Sequence, residues 1–437
     1  MAVPVRFSVL HVSLLHHQVI RMNPLSSLLH LFSRLLCRLL RQRDWQFALL
    51  VSLACLGLAV MPSGFDSGIY KDSVRAKALV LRTDDTRVHQ FGIVRQGNQD
   101  LRIRIENTRY AGQELDANNT VIGKLELDKI FRPGDHALVV LDTQPATGQI
   151  VFANVIDHYR LDAEAWLFGA FVVLLVALTG GTGVKAIISF IFTGLCLWKL
   201  MIPAMLKGAN PILLSLGVVT LLVFVTCLLV GGLTRKGIAA FLGSLGGVVF
   251  TCVIALVFAD SFHLNGAVRP FSESLLYSGH ANLRLTDIFL AGIFLASSGA
   301  LMDVAMDIAA SLEELHRHNP TLGFSALSVA GLRIGRAVIG TMTTTLLLAY
   351  SGGYTTLLMV FTAQGIPVEN LLNLSYVSTE LFHTVVGSFG LILVAPCTAF
   401  CGALIFSRQT RNQATPHGTE VSPLSDTGDV ALQSNPL

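Results

Sequence analysis

Long apolar runs recur along this chain, each close to the length of about 20 residues that crosses a bilayer as a helix. They fall at 45–60, 165–181, 185–202, 211–232, 237–259, 286–309, 337–361 and 376–406. Short polar turns separate all but the first two, which flank one long hydrophilic interval. The last run is long and contains Pro396, which predicts a kink or a tilt. The pattern predicts an α-helical polytopic membrane protein of about eight spans, with a small extracytoplasmic β-domain inserted after the first.

Within the hydrophilic interval the period changes. Leu101-Arg-Ile-Arg-Ile-Glu106 alternates with period two, and 136–141 and 148–155 are rich in β-formers. Turn residues such as Arg132-Pro133-Gly134-Asp135 and Thr147-Gly148 divide them. A compact barrel or sandwich of about five strands fits. The domain boundaries expected are a basic amphipathic N-terminal segment at 1–44, an anchor at 45–61, the β-domain at 62–164, a seven-span region at 165–407 and a disordered tail at 408–437.

Composition agrees with this reading. Charged residues make up 14% of the chain, against about 25% in soluble domains. A net charge of +3 gives no argument for nucleic acid. None of the 7 cysteines falls in the hydrophilic interval, so no disulfide framework is available there. Cys397 and Cys401 share a helical face and read as packing residues rather than metal ligands.

Charge position sets the expected orientation. Arg34, Arg38, Arg41 and Arg43 precede the first run, and the leucines among them describe a helix lying on an anionic surface, with an unprocessed leader or a start mis-called upstream of Met22 as the alternative. Lys185, Arg235, Lys236, Arg317, Arg333, Arg336, Arg408 and Arg411 all fall on the same side if the spans alternate. By the positive-inside rule that side is cytoplasmic, with both termini inside and the β-domain outside. Lys199, Lys207, Arg269 and Arg284 are the outward exceptions. An internal echo, 178–190 against 229–241, repeats a Leu, two Gly, a Lys, an Ile and a Phe without gaps. Its paired glycines suit tight turns between helices.

Three constellations could carry chemistry. Asp303 and Asp307 lie four apart, on one helical face, inside an apolar run. A carboxylate at depth costs about 2.5 kcal/mol or more, and needs a partner or a use. Asp307 reads as interfacial. Asp303 either lines an ion site or pairs with Arg333 or Arg336. Glu380 and His383, three apart near the outer end of the last span, read as a proton relay, as a pair of metal ligands lacking others of known position, or as an interfacial pair. Thr341, Thr343, Thr344 and Thr345 form a hydroxyl stripe, which can ligate a cation, join helices or bond back to the backbone. The set expected to meet is Asp303, Thr341, Thr345, Arg336 and Glu380. No motif of a soluble enzyme, cofactor site or metal site is present, so a non-enzymatic protein without cofactor is expected.

Three blocks, from Ala291 through Leu315, from His318 through Gly353, and from Ser378 through Ala399, resemble the YibE/F-like family of bacterial membrane proteins. With the β-region the likeness runs over about 71–406. It implies a multi-span membrane protein with an extracytoplasmic β-domain, and no established activity. Gly299, Ala300, Met302, Asp303 and Val304 match one block of the family, and Gly335 and Arg336 a second, with Ala337 where an aspartate is expected. Gly340, Thr341, Met342, Thr345 and Leu346 match a third, with Thr344 in place of an asparagine. Glu380 matches in the last block, where His383 stands for an arginine. These departures remove polar groups from the proposed site. The function expected is transport of a cation or small solute. The alternative is an envelope sensor or assembly factor that binds a protein partner through 67–158. An intramembrane enzyme ranks last.

Overall fold

The structure, a computed structural model, describes residues 42–62, 64, 65, 73–144 and 147–413. Most of the expected basic segment at 1–44, and the tail beyond Gln413, lie outside the described residues. The chain divides into two compact units, Met61–Ile187 and a second formed by Met1–Val60 with Ile188–Leu437.

The first unit carries six strands: β1 (Ser73–Asp84), β2 (Val88–Phe91), β3 (Val94–Ile105), β4 (Glu114–Ile122), β5 (His136–Thr143) and β6 (Ile150–His158). Their order is β1-β5-β6-β4-β3-β2, and an added β1–β3 pairing closes five of them into a barrel. The strand beyond the expected five is the short β2, a hairpin partner of β3 outside the closed ring. Alternation decides what lies inside. Leu101, Ile103 and Ile105 are buried, while Arg102 and Arg104 face out and pair with Asp116 and Glu114 directly across β4. Ala76, Ala78, Ala117, Ala137 and Ala153 fill much of the interior, as a barrel this narrow requires.

One end of the barrel is held by polar groups. Gln99 and Asn119 are fully buried. Gln99 donates to the Phe131 carbonyl at 2.9 Å and accepts from the Phe131 amide at 3.0 Å. Asn119 donates to Gln99 at 3.0 Å and to the Lys129 carbonyl at 2.7 Å. The loop before β5 is thereby fastened across the barrel end, and the Phe131 ring joins the core.

Among the described residues, eight helices are long and apolar enough to cross a membrane. They are α1 (Arg43–Val60), α2 (Leu161–Thr179), α3 (Gly181–Leu206), α4 (Pro211–Gly231), α5 (Arg235–Ala259), α7 (Leu285–His318), the helix running Phe324–Ala363, and α11 from Ser375. A short α6 (Ser272–Tyr277) precedes α7. The seventh span divides into α8 (Phe324–Ser351), a 3₁₀ turn (Gly352–Tyr354) and α9 (Thr355–Ala363). The short α10 (Val368–Asn373) follows, and α11 runs from Ser375 to Gln413.

The seventh span therefore begins well before residue 337. No proline interrupts 324–337, so Arg333 and Arg336 stand inside the helix rather than in its approach. Likewise α11 continues past 407, where a tail was expected. In α3, Pro203 is accommodated by a π turn over Cys196–Met201, which removes the clash of the ring with the preceding helical turn. The echoed glycine pairs both lie at helix junctions but bend differently. Gly180 takes the positive φ of 59° after α2, whereas Gly232, the second glycine of its pair, takes 83° after α4.

The second unit is built on close contacts between helix backbones. On α5, Gly243 and Gly247 lie against Thr398 and Val394 of α11. On α8, Gly331 and Gly335 lie against Ala399 and Ala395. Both pairs are spaced four apart, so each forms a flat strip along one face. Gly390 of α11 receives Thr251 of α5 in the same way. Leu301, Ile308 and Leu312 of α7 fill the space between these strips and are fully buried. At one end of this unit Asp44 of α1 accepts from the Leu233 amide at 3.2 Å, and Lys236 of α5 pairs with Glu313 of α7 at 3.7 Å. That end carries the basic turn residues.

Candidate functional site

The five expected site residues do not form one cluster. The Phe289 ring of α7 meets the His383 ring of α11 at 6.3 Å, which places Glu380 and His383 at the start of α7. Asp303 lies four helical turns further along α7, about 20 Å away.

Asp303 and Asp307 are exposed on α7, and no ion pair or hydrogen bond joins either carboxylate to another described residue. Arg333 and Arg336 are exposed on α8, and the expected pairing with the aspartates is not formed. The reason is helix rotation. Gly331 and Gly335 turn their face of α8 into α11, and Arg333 and Arg336, at other angles round the helix, point away from that seam. Asp307 and Arg336 do share a level, since Ile308 packs beside Gly335.

The threonine hydroxyls take the backbone option. Thr341 donates to the Val338 carbonyl at 3.0 Å, Thr343 to Ile339 at 2.9 Å and Thr345 to Thr341 at 3.2 Å. Thr343 and Thr344 nevertheless border a cavity of about 330 Å³ shared with Thr384 and Ser388 of α11. Thr384 has a buried hydroxyl without a hydrogen-bond partner. Sequence reasoning missed these two α11 residues, although His-Thr-Val-Val-Gly-Ser places them one turn apart beyond His383.

The densest polar cluster lies at the other end of the unit from the basic turns. Arg269 is presented by a 3₁₀ turn (Gly266–Val268) that Asn265 caps, accepting from the Ala267 amide at 3.0 Å. Gly266 sits so close to the Leu285 backbone, at the start of α7, that a Cβ would clash at 2.2 Å. Ser272 then bonds to the Ala267 and Arg269 carbonyls. So held, the Arg269 guanidinium pairs with Glu380 at 2.5 Å and donates to His383 Nδ1 at 3.3 Å. Its face lies 5.2 Å from the Phe289 ring centroid. Tyr350 of α8 stacks on His383 with centroids 4.3 Å apart.

Because Nδ1 accepts from the arginine, the neutral His383 ring carries its proton on Nε2. That nitrogen is buried and has no partner, as does the Tyr350 hydroxyl. Nearby on α7, Asp287 is 5% exposed and pairs with Arg284 at 3.1 Å. Two of the arginines that broke the charge asymmetry, Arg269 and Arg284, are thus engaged by carboxylates. The predicted spacing brings the Glu380 carboxylate within 3.7 Å of His383 Nδ1, and Arg269, donating to both, is what links them. Their arginine partner, from a loop 114 positions away, was not legible in the sequence.

Cys397 lies against Gly246 of α5, a packing role. Among the described residues no group of three or more His, Cys, Asp or Glu side chains could hold a metal ion.

Eight long apolar helices joined by tight turns, with a small closed sheet in the chain between the first and second, describe a multi-pass membrane protein. The family model of the YibE/F-like protein matches residues 167–408, more than half of the chain, and the protein belongs to that family. The match starts within α2, so the β-unit lies outside it, where the sequence likeness was expected to reach back to about residue 71. No curated protein and no solved structure matches the chain.

Proposed function

We propose that this protein moves a cation or small solute across a membrane, without enzymatic chemistry, and that Asp303 is the group the moving species meets. The observation that carries the reading is the pair Asp303 and Asp307, exposed on an otherwise apolar stretch of α7 with no ion pair to another described residue. A carboxylate kept at such a cost is retained for a use. The positive-inside pattern supports placement in a bacterial inner membrane, with both termini cytoplasmic and the β-unit outside. Thr341, Thr345 and Arg336 then line the inner half of α8, and Glu380 belongs to the outer cluster.

The test is ion and solute flux in proteoliposomes holding the full chain. Asp303→Asn should reduce flux at least tenfold, while Asp307→Asn, nearer the helix end, should reduce it less. Wild-type flux with no loss in Asp303→Asn would remove the aspartate from the mechanism.

A second reading is favoured by a cleft of about 530 Å³ on the β-unit, lined by Arg82, Arg87, Asp100, Arg102, Asp116 and Phe152. Alternating charge beside an exposed aromatic ring suits an envelope protein partner, and would make the chain a sensor or assembly factor. Deleting 67–158 separates the two. Flux survives in part if the protein transports, and partner binding is lost if it senses.

A further inference from the structure

The geometry points to a binding site for an amphipathic anion, a single carboxylate or phosphate on an apolar body, in the cavity beside Arg269. This cavity of about 600 Å³ lies between the 266–275 segment and the first turns of α7. Its volume falls in the range of small-molecule sites. Leu275, Leu285, Ile288, Phe289 and Ile293 make its wall apolar.

Charge selects the occupant. The charged side chain that lines the cavity is Arg269, whereas Glu380, its partner, does not line it. Arg269 keeps 39% of its side chain exposed and commits two of its five N–H groups, one to Glu380 and one to His383. Donors therefore remain for a ligand. His383 also lines the cavity and holds the guanidinium in place through Nδ1. The free N–H groups of the guanidinium at the head of an apolar cavity offer hydrogen bonds to one anionic group, and the cavity wall offers burial to its body. A cationic head would be repelled by the guanidinium.

Local backbone supports a built site. Phe271, which lines the cavity, takes a φ of 63°, a left-handed conformation that is costly for a bulky residue. Such strain collects where a ligand is held. Gly292 of α7 also lines the cavity, and a Cβ there would meet nothing within 4 Å. The glycine leaves open space rather than permitting a helix contact. The inference stands on this end of the unit alone and is independent of transport through Asp303.

The anion could come from the aqueous phase or from the outer leaflet as a phospholipid headgroup, and the experiment distinguishes them. The full chain is placed in nanodiscs of phosphatidylcholine, and binding of radiolabelled decanoate is measured by equilibrium dialysis. The same titration is repeated with phosphatidylglycerol added, and the lipid retained by the protein is analysed. A free amphiphile gives saturable, one-to-one decanoate binding. A lipid ligand gives retained phosphatidylglycerol that excludes decanoate.

In either case Arg269→Gln weakens binding tenfold or more. Gly292→Leu, which fills the cavity and leaves the Arg269–Glu380–His383 cluster intact, abolishes it while thermal stability is kept. Decylammonium should not compete. The inference is overturned if neither anion binds, if Gly292→Leu binds as wild type does, or if decylammonium competes equally.

Discussion

Gln99 and Asn119 show how much a single polar side chain can hold. Gln99 satisfies both backbone groups of Phe131 and receives Asn119. Gln99→Leu keeps the volume but orphans several buried groups, at about 1–3 kcal/mol each. The β-unit should therefore unfold at least 5 °C earlier, read from the amide I band of the full chain on heating. The sequence marks neither residue, because a buried amide inside a strand looks like any polar position on the outer face. Asp303 is the opposite case. Its place inside an apolar stretch was legible from the residues around it, since that follows from position along the chain. Its lack of an arginine partner was not, since that depends on how α8 is rotated.

At the scale of elements, glycine has two uses here that sequence cannot separate. Gly243 touches Thr398 of α11 so closely that a Cβ would sit 2.0 Å from its hydroxyl and 2.7 Å from its Cα. Gly299, in the block shared with the family, has open space where a Cβ would be. Gly243→Ala must push α5 from α11, at a cost of about 1–3 kcal/mol. Gly299→Ala should be neutral or stabilising by about 0.5–1 kcal/mol. Thermal unfolding in detergent compares the two, and equal effects would contradict the packing account. The helices themselves were readable as apolar runs. Their ends were less so, because apolar length reports only the hydrophobic stretch, whereas α7, α8 and α11 run on into polar residues.

At the scale of the molecule, the two units answer to different conditions. The second unit is bound mainly by apolar helix packing, with its ion pairs at the two ends. The β-unit carries its charges on the surface. Hydrogen bonds from Thr86 hold the Asp84 carboxyl below the ordinary carboxylate range, and the Arg160 side chain does the same for Asp157. Lys77 is raised by its bonds to Asp162 and Glu106. A carboxyl depressed in the folded state contributes stability that is present above its unfolded value, about pH 4, and is lost as the pH falls below it. The raised lysine contributes below its unfolded value, about pH 10.4, and its share fades only at higher pH. The β-unit should therefore be most stable between about pH 5 and 9, and its amide I transition should drop on acidification to pH 3. The helical bands should shift less over the same interval.

Sequence alone determined the class of this protein. Eight apolar stretches, one alternating interval and the family blocks are local properties, written in residue order and set by which side chains are apolar. The same locality made the inward and outward faces of β3 readable to the residue. Only the tertiary structure decided which polar groups meet. It parted Glu380 from Asp303 by the length of several helical turns, and turned Arg333 and Arg336 away from the α8–α11 seam. It also brought Arg269 from a distant loop onto Glu380 and His383, beside a cavity. Helix rotation and the approach of distant segments are fixed by small residues packing across the bundle, and no pattern along a single helix records its neighbour.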